Sequence, residues 1–386
     1  MKLSYVTTFD ARDLNEFYNW AGTGYYISES LEKQSSIEMQ YIGSLKERLP
    51  LKILCKLKRY YYESVSKGTY AKGLDPIFLK NYSNQVSQKL SKTDTDIVFG
   101  ATTTPITYLE CKQPIVFWSD ATFNNLLDYY PAFKNLGLKS IEHGHQMENM
   151  ALQRCQLALY ASEWAAREAI EYYKADPAKV KVVPFGANIE HQNSLDSVKS
   201  LINSRPSDRC KLLFIGYEWA RKGGNVVVEV VKELNKSGLN TELTVVGCQP
   251  DLDEEVVPFV KVLGVVKKST DAGKATINKL LAESHFLIVP SRAECYGIVF
   301  CEANSFGVPS IASQVGGIPT IIRDDINGKL FDKEAEIQEY CQYISNLLTN
   351  YKEYKQLALS SFNEYKSRLN WQVAGNNVRE MLETLI

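Results

Sequence analysis

Short apolar runs of strand length recur along this chain with helical segments between them, and they fall into two blocks. The first block holds Leu3–Thr8, Ile37–Ile42, Ile97–Gly100, Ile115–Trp118, Leu157–Ser162 and Val180–Pro184. The second begins at Lys211–Gly216 and continues through Glu242–Gly247, Phe259–Gly264, Phe286–Pro290 and Pro309–Ala312. Strands that alternate with helices pair in parallel, because a parallel pair needs a long crossover and a helix is the usual one. The pattern therefore predicts an α/β chain of two doubly wound parallel-sheet domains. Residues 1–186 form the first and 209–371 the second, with the hydrophilic stretch 187–208 as a linker and a ligand cleft between the domains.

Bulk properties exclude several classes. At 386 residues the chain is too long for one ordinary core. A net charge of -1 gives no global case for nucleic acid, and 23% charged residues is too ordinary for disorder. Its eight cysteines form no Cys-x-x-Cys pair, which argues against a zinc module or a secreted disulfide framework. No run approaches the roughly 18 apolar residues that span a bilayer. Met1-Lys2-Leu3-Ser4-Tyr5-Val6 leads straight into a strand without a signal-peptide core. The expectation is a cytoplasmic protein.

Residues 290–302 carry two carboxylates eight positions apart around a glycine: Glu294, Gly297 and Glu302, directly after Phe286-Leu287-Ile288-Val289. The segment reads strand, loop, helix. Ligands of open α/β sheets bind where strands end and helices begin. The carboxylates would accept hydrogen bonds from ligand hydroxyls there, or serve as a solvated loop residue and an ordinary helix-surface residue. Gly216-Tyr217-Glu218-Trp219-Ala220-Arg221-Lys222-Gly223-Gly224 is a second strand-loop-helix junction. Cations at a helix N-terminus oppose its dipole, so Arg221 and Lys222 make sense around an anion such as a diphosphate. The plainer alternative is two solvated loop cations.

Here a resemblance becomes specific. Pro290-Ser291, Glu294, Gly297 and Glu302-Ala303, then Gly307-Val308-Pro309, Gly316-Gly317-Ile318-Pro319 and Asn327-Gly328-Lys329-Leu330-Phe331, resemble the C-terminal signature of retaining glycosyltransferases of family 4. The likeness is strong over 208–332 and fainter over 1–186. It implies the two-domain GT-B fold, with the last helix, about 372–386, crossing back onto the first domain. It also implies a retaining hexosyltransferase using a nucleoside diphosphate sugar, UDP or GDP undecided, with no cofactor and no metal. Arg221 and Lys222 would hold the diphosphate, Glu294 the sugar hydroxyls, Glu302 the ribose, and Gly297-Ile298 backbone amides would lie near sugar or phosphate. Tyr217 stands where many members have arginine. Gly216 belongs to this phosphate loop, and Val265 matches the loop that packs on the base. Front-face attack, with the donor phosphate taking the acceptor proton, is the mechanism implied.

The resemblance also assigns a glycine loop, Gly22-Thr23-Gly24, between acceptor and donor phosphate; on the residues alone it is equally a plain turn. Asp120 ends the strand Ile115–Trp118, where many relatives carry a histidine that contacts the sugar. It serves either as an acceptor for a hydroxyl or as a helix N-cap. His143, His145 and Glu148 lack the further ligands a metal needs. Asp94-Thr95-Asp96 precedes its strand and reads as a turn. From 44 to 92 there are eleven Lys/Arg (46, 48, 52, 56, 58, 59, 67, 72, 80, 89, 92) and three acids, a net of +8. Residues 45–62 thus either lie on an anionic membrane surface, peripherally at its inner face, or form a solvated helix face. The acceptor, a glycan, a lipid-linked group or a small molecule, is not encoded in these motifs. The alternatives are a nucleotide-sugar epimerase or hydrolase on the same fold, or a non-catalytic two-domain sugar-binding protein.

Overall fold

The computed structural model describes every residue except 15–19, 48, 66, 67, 191 and 192. Two compact units result, Met1–Phe185 with Trp371–Ile386, and Gly186–Asn370. Arg48 and Lys67 of the basic stretch, and part of the loop ahead of Gly22, lie outside the described residues.

The first unit contains β1 (Lys2–Val6), β2 (Glu38–Ile42), β3 (Ile97–Gly100), β4 (Ile115–Ser119), β5 (Leu157–Tyr160) and β6 (Val180–Val182). They form one parallel sheet in the order β2-β1-β3-β4-β5-β6. The central strands β3, β4 and β5 are buried throughout, which is why they read as unbroken apolar runs. Helix Trp371–Glu383 packs on helix Thr23–Glu32, and Trp371 stacks on Tyr26 at 6.3 Å between ring centroids. Asp94 and Asp96 are structural: Asp96 accepts from the Lys2 amide at 2.6 Å and Asp94 pairs with the Lys2 ammonium at 2.6 Å.

The second unit contains β7 (Cys210–Ile215), β8 (Thr241–Val246), β9 (Val260–Val262), β10 (Phe286–Val289), β11 (Ser310–Ser313) and β12 (Gly328–Phe331). Its parallel sheet runs β12-β11-β10-β7-β8-β9. Chain order therefore reverses between the neighbours β7 and β10, a topological switch point, the place where ligands of open α/β sheets bind. In the first unit the same reversal lies between β1 and β3.

Two expectations change. The stretch 187–208 is not a bare linker: helix Leu195–Ser204 buries Val198 and Ile202 and packs within the second unit. The strand β12 was not among the predicted runs, because Gly328-Lys329-Leu330-Phe331 is a half-buried edge strand with little apolar signal.

Candidate functional site

The loop after β7 and the loop after β10 flank the switch point of the second unit, and they are locked together. Gly223 caps helix Gly224–Lys236 with φ 75°, and a Cβ there would lie 2.0 Å from the Pro290 carbonyl oxygen. Only glycine allows that approach. Arg221 spans the same gap: its carbonyl accepts from the Arg292 amide at 2.8 Å, and its guanidinium Nη1 donates to the Ala293 carbonyl at 2.8 Å while Nε donates to Glu218.

Lys222, next in sequence, sends its ammonium to the Glu294 carboxylate, 72 positions away. Both side chains are nearly shielded, 12% and 10% exposed, so each charge depends on the other for compensation. Gly216 follows β7 beneath the Lys222 stem, where a Cβ would lie 2.9 Å from the Lys222 Cγ. The Glu294 carbonyl accepts from Gly317 at 3.2 Å, which brings the glycine turn after β11 to the same place.

Gly297 has φ 94° and caps helix Ile298–Asn304; a Cβ would meet the Phe300 ring at 2.7 Å. Glu302 lies inside that helix, 1% exposed, and is no surface glutamate. Its partner is Lys268, whose side chain is 42% exposed. Lys268 comes from the loop after β9, which also carries Gly264 and Val265. Val265 is 60% exposed, free of the core. The Gly264 carbonyl accepts from Gly247 at the end of β8, at 2.7 Å. The segments after β7, β9, β10 and β11 thus supply the second unit's residues singled out in the sequence, plus one that the sequence did not announce, Lys268. Ser291, beside them, is fully buried and its hydroxyl has no hydrogen-bond partner.

The first unit holds the other candidates. Gly22 (φ 88°) caps helix Thr23–Glu32, and the Gly24 carbonyl accepts from the Tyr5 hydroxyl at 2.8 Å. Asp120 follows β4 and is partly exposed. It is not the N-cap: Thr122 and Asn125 cap helix Phe123–Leu126 reciprocally. His145 meets the Tyr173 hydroxyl at 3.0 Å, and burial lowers its pKa. Glu148 is buried, accepts from Tyr160 at 3.1 Å and from the Phe123 amide at 3.4 Å, and burial pushes its pKa up to about 7. Among the described residues no three His, Cys, Asp or Glu are grouped to hold a metal ion.

Two parallel six-stranded sheets in these orders define a GT-B fold. The chain matches sucrose-phosphate synthase from Thermosynechococcus elongatus at TM-score 0.70 and 14% identity, covering 100% of this chain and 99% of that one. It matches Anabaena HepE in complex with UDP at TM-score 0.66 and 15% identity, covering 100% of both chains. Residues 209–350 match the family model Glycosyl transferases group 1. Over this unit the chain is similar to group 1 glycosyltransferases, carried on a GT-B fold. Among sequences it is similar to the D-inositol 3-phosphate glycosyltransferase of Segniliparus rotundus, 25% identical over 216 residues, 54% of this chain and 47% of the relative. The corresponding enzyme of Thermobifida fusca is 26% identical over 220 residues, 54% of this chain and 50% of the relative. The match thus spans about half the length of these relatives.

Proposed function

We propose that this protein is a retaining, metal-independent glycosyltransferase that moves a hexose from a nucleoside diphosphate sugar to a glycan, lipid-linked or small-molecule acceptor. The observation that carries the proposal is the contact of Arg221 and Lys222, after β7, with Ala293 and Glu294, after β10, at the switch point of one sheet, with Glu302 in the helix that follows. The UDP and UDP-glucose complexes of Anabaena HepE support a nucleotide-sugar donor.

In this reading a diphosphate offers Lys222 a second anionic partner. The ammonium turns toward phosphate and releases Glu294 to accept from the sugar hydroxyls. Glu302 would accept from the ribose hydroxyls in the same way, exchanging Lys268 for the donor. Arg221 ties the two loops and adds positive charge at the diphosphate. As the bond from the anomeric carbon to phosphate breaks, charge grows on the leaving diphosphate, and fixed cations stabilise it best where water is scarce. Front-face attack follows: the acceptor hydroxyl gives its proton to the departing phosphate and bonds to the same face of the sugar. Asp120 and the Gly22-Thr23-Gly24 loop are proposed for the acceptor side. The eight cysteines, with no Cys-x-x-Cys pair in the sequence, suit a cytoplasmic setting. No described helix is long and apolar enough to cross a membrane.

The test is a transfer assay over UDP- and GDP-sugars with and without a chelator. Donor-dependent glycosylation that survives chelation and retains anomeric configuration is expected. Donor consumption at the same rate with no acceptor would indicate a hydrolase or epimerase instead, and tight binding of free sugar without nucleotide would indicate a binding protein.

A further inference from the structure

Helix Leu49–Ser64 has two apolar faces, and its own unit uses one of them. At about 100° per residue, Leu51, Leu54, Cys55, Lys58 and Tyr62 share a side. Leu51, Cys55 and Tyr62 pack on the core of the first unit, and Lys58 pairs with Asp75. The other side carries Leu49 (71% exposed), Ile53 (53%), Leu57 (63%), Tyr60 (71%) and Tyr61 (55%). Leu49, Ile53, Leu57 and Tyr60 stand at i, i+4, i+8 and i+11, a continuous stripe. Along one edge of it run Lys52, Lys56 and Arg59, all exposed, at i, i+4 and i+7. Glu63 is the one acid in the helix.

A surface helix anchored by one apolar stripe normally shows polar residues outward. Single exposed hydrophobes are ordinary, whereas a stripe of four with Tyr61 beside it marks a binding face. The flanking cations identify the occupant. Apolar side chains with a row of Lys and Arg beside them suit the boundary between acyl chains and anionic headgroups, where tyrosine also sits well with its ring in the apolar layer and its hydroxyl in the polar one.

We infer that the outward face of helix Leu49–Ser64 docks on an anionic lipid bilayer, lying in the interface with Leu49, Ile53, Leu57 and Tyr60 inserted and Lys52, Lys56 and Arg59 among the headgroups. The inference is independent of the donor reading, since every residue it uses lies in the first unit.

Flotation of the full chain with large vesicles tests it, using phosphatidylcholine alone and an equal mixture with phosphatidylglycerol. The wild type should float with the mixed vesicles, more weakly with the neutral ones, and less at high salt. Ile53→Asp with Leu57→Asp should abolish flotation. Lys52→Glu with Lys56→Glu and Arg59→Glu should lower affinity by at least about fivefold for each cation lost. These side chains are exposed, so melting temperature and UDP titration should match wild type. Wild type left unbound by mixed vesicles at low salt overturns the inference, as does unchanged flotation of both variants. A wild-type dimer that the aspartates dissociate, with no vesicle binding, would make a second copy the occupant and equally overturn it.

Discussion

Lys268→Ala and Glu302→Gln should damage the protein in opposite ways. Glu302 is 1% exposed and its ionic partner is Lys268, whose side chain is 42% exposed. Removing the lysine strands a buried carboxylate, a change that typically costs about 3–5 kcal/mol. Because the ammonium side of the pair is open to water, the lower end, about 3 kcal/mol, is expected for unfolding of the second unit. Glu302→Gln keeps the side-chain volume and leaves an ammonium that already reaches solvent, so the cost should stay within about 1 kcal/mol. Donor binding should invert the order. A carboxylate accepting from ribose hydroxyls contributes about 1.5–3 kcal/mol, so Glu302→Gln should weaken UDP binding about ten- to hundredfold. Lys268→Ala leaves that acceptor in place and should bind within about threefold of wild type. Guanidinium denaturation and calorimetric titration with UDP measure the two quantities. Equal destabilisation by both substitutions, with UDP affinity unchanged by Glu302→Gln, would refute the reasoning and leave Glu302 a structural residue.

Other outcomes follow from the same structure. Lys222→Ala should lower transfer more than tenfold, about 1.4 kcal/mol or more of lost stabilisation, with a folded protein by circular dichroism. Gly223→Ala should destabilise the second unit by about 2–4 kcal/mol, because alanine strains the left-handed backbone and its Cβ meets the Pro290 carbonyl; a wild-type denaturation midpoint would contradict this. Burial raises Glu148 from 4.5 to about 7. The folded state therefore keeps a proton that the unfolded state gives up, and stability falls as pH rises from 4.5 through 7, by about 3 kcal/mol in full. Glu148→Gln should remove that slope from the unfolding of the first unit. His285 shows the reverse: burial lowers it from 6.5 to about 4. Its Nδ1 accepts from the Lys211 amide at 3.0 Å while Nε2 faces the Pro206 carbonyl at 2.8 Å, so the neutral ring fits and an added proton does not. Stability of the second unit should fall as pH drops from 6.5 toward 4, by a similar amount, and flat pH profiles for both units would contradict the two assignments.

Much of the fold was legible because central strands of a parallel sheet are buried on both sides. Ile97–Gly100 and Phe286–Val289 consequently declare themselves as continuous apolar runs. The edge was less legible. Strand β12 has two partly exposed residues of four, and its register on β11 comes from pairing Ser310 with Gly328, which no local pattern announces. Helix Leu195–Ser204 was missed for a related reason: two buried residues, Val198 and Ile202, are too few to distinguish a packed helix from a hydrophilic connection. At the site, residues that sit at strand ends could be singled out from strand-loop-helix context. Lys268 could not, since its contact with Glu302 spans 34 positions and a lysine in a loop carries no signal of its own. The N-cap alternative for Asp120 failed because Thr122 and Asn125, two and five residues on, complete a reciprocal cap that Asp120 would have pre-empted.

The central claim is that the segments after β7 and β10, which carry Lys222, Glu294 and Glu302, hold a nucleoside diphosphate sugar. Calorimetric titration of UDP and GDP into the wild type and into Lys222→Ala addresses it most directly. One of the two nucleotides should bind the wild type with micromolar Kd and bind Lys222→Ala at least tenfold more weakly, through lost phosphate contacts, about 1.4 kcal/mol. Absence of binding by either nucleotide, or equal binding by wild type and folded Lys222→Ala, would contradict the account.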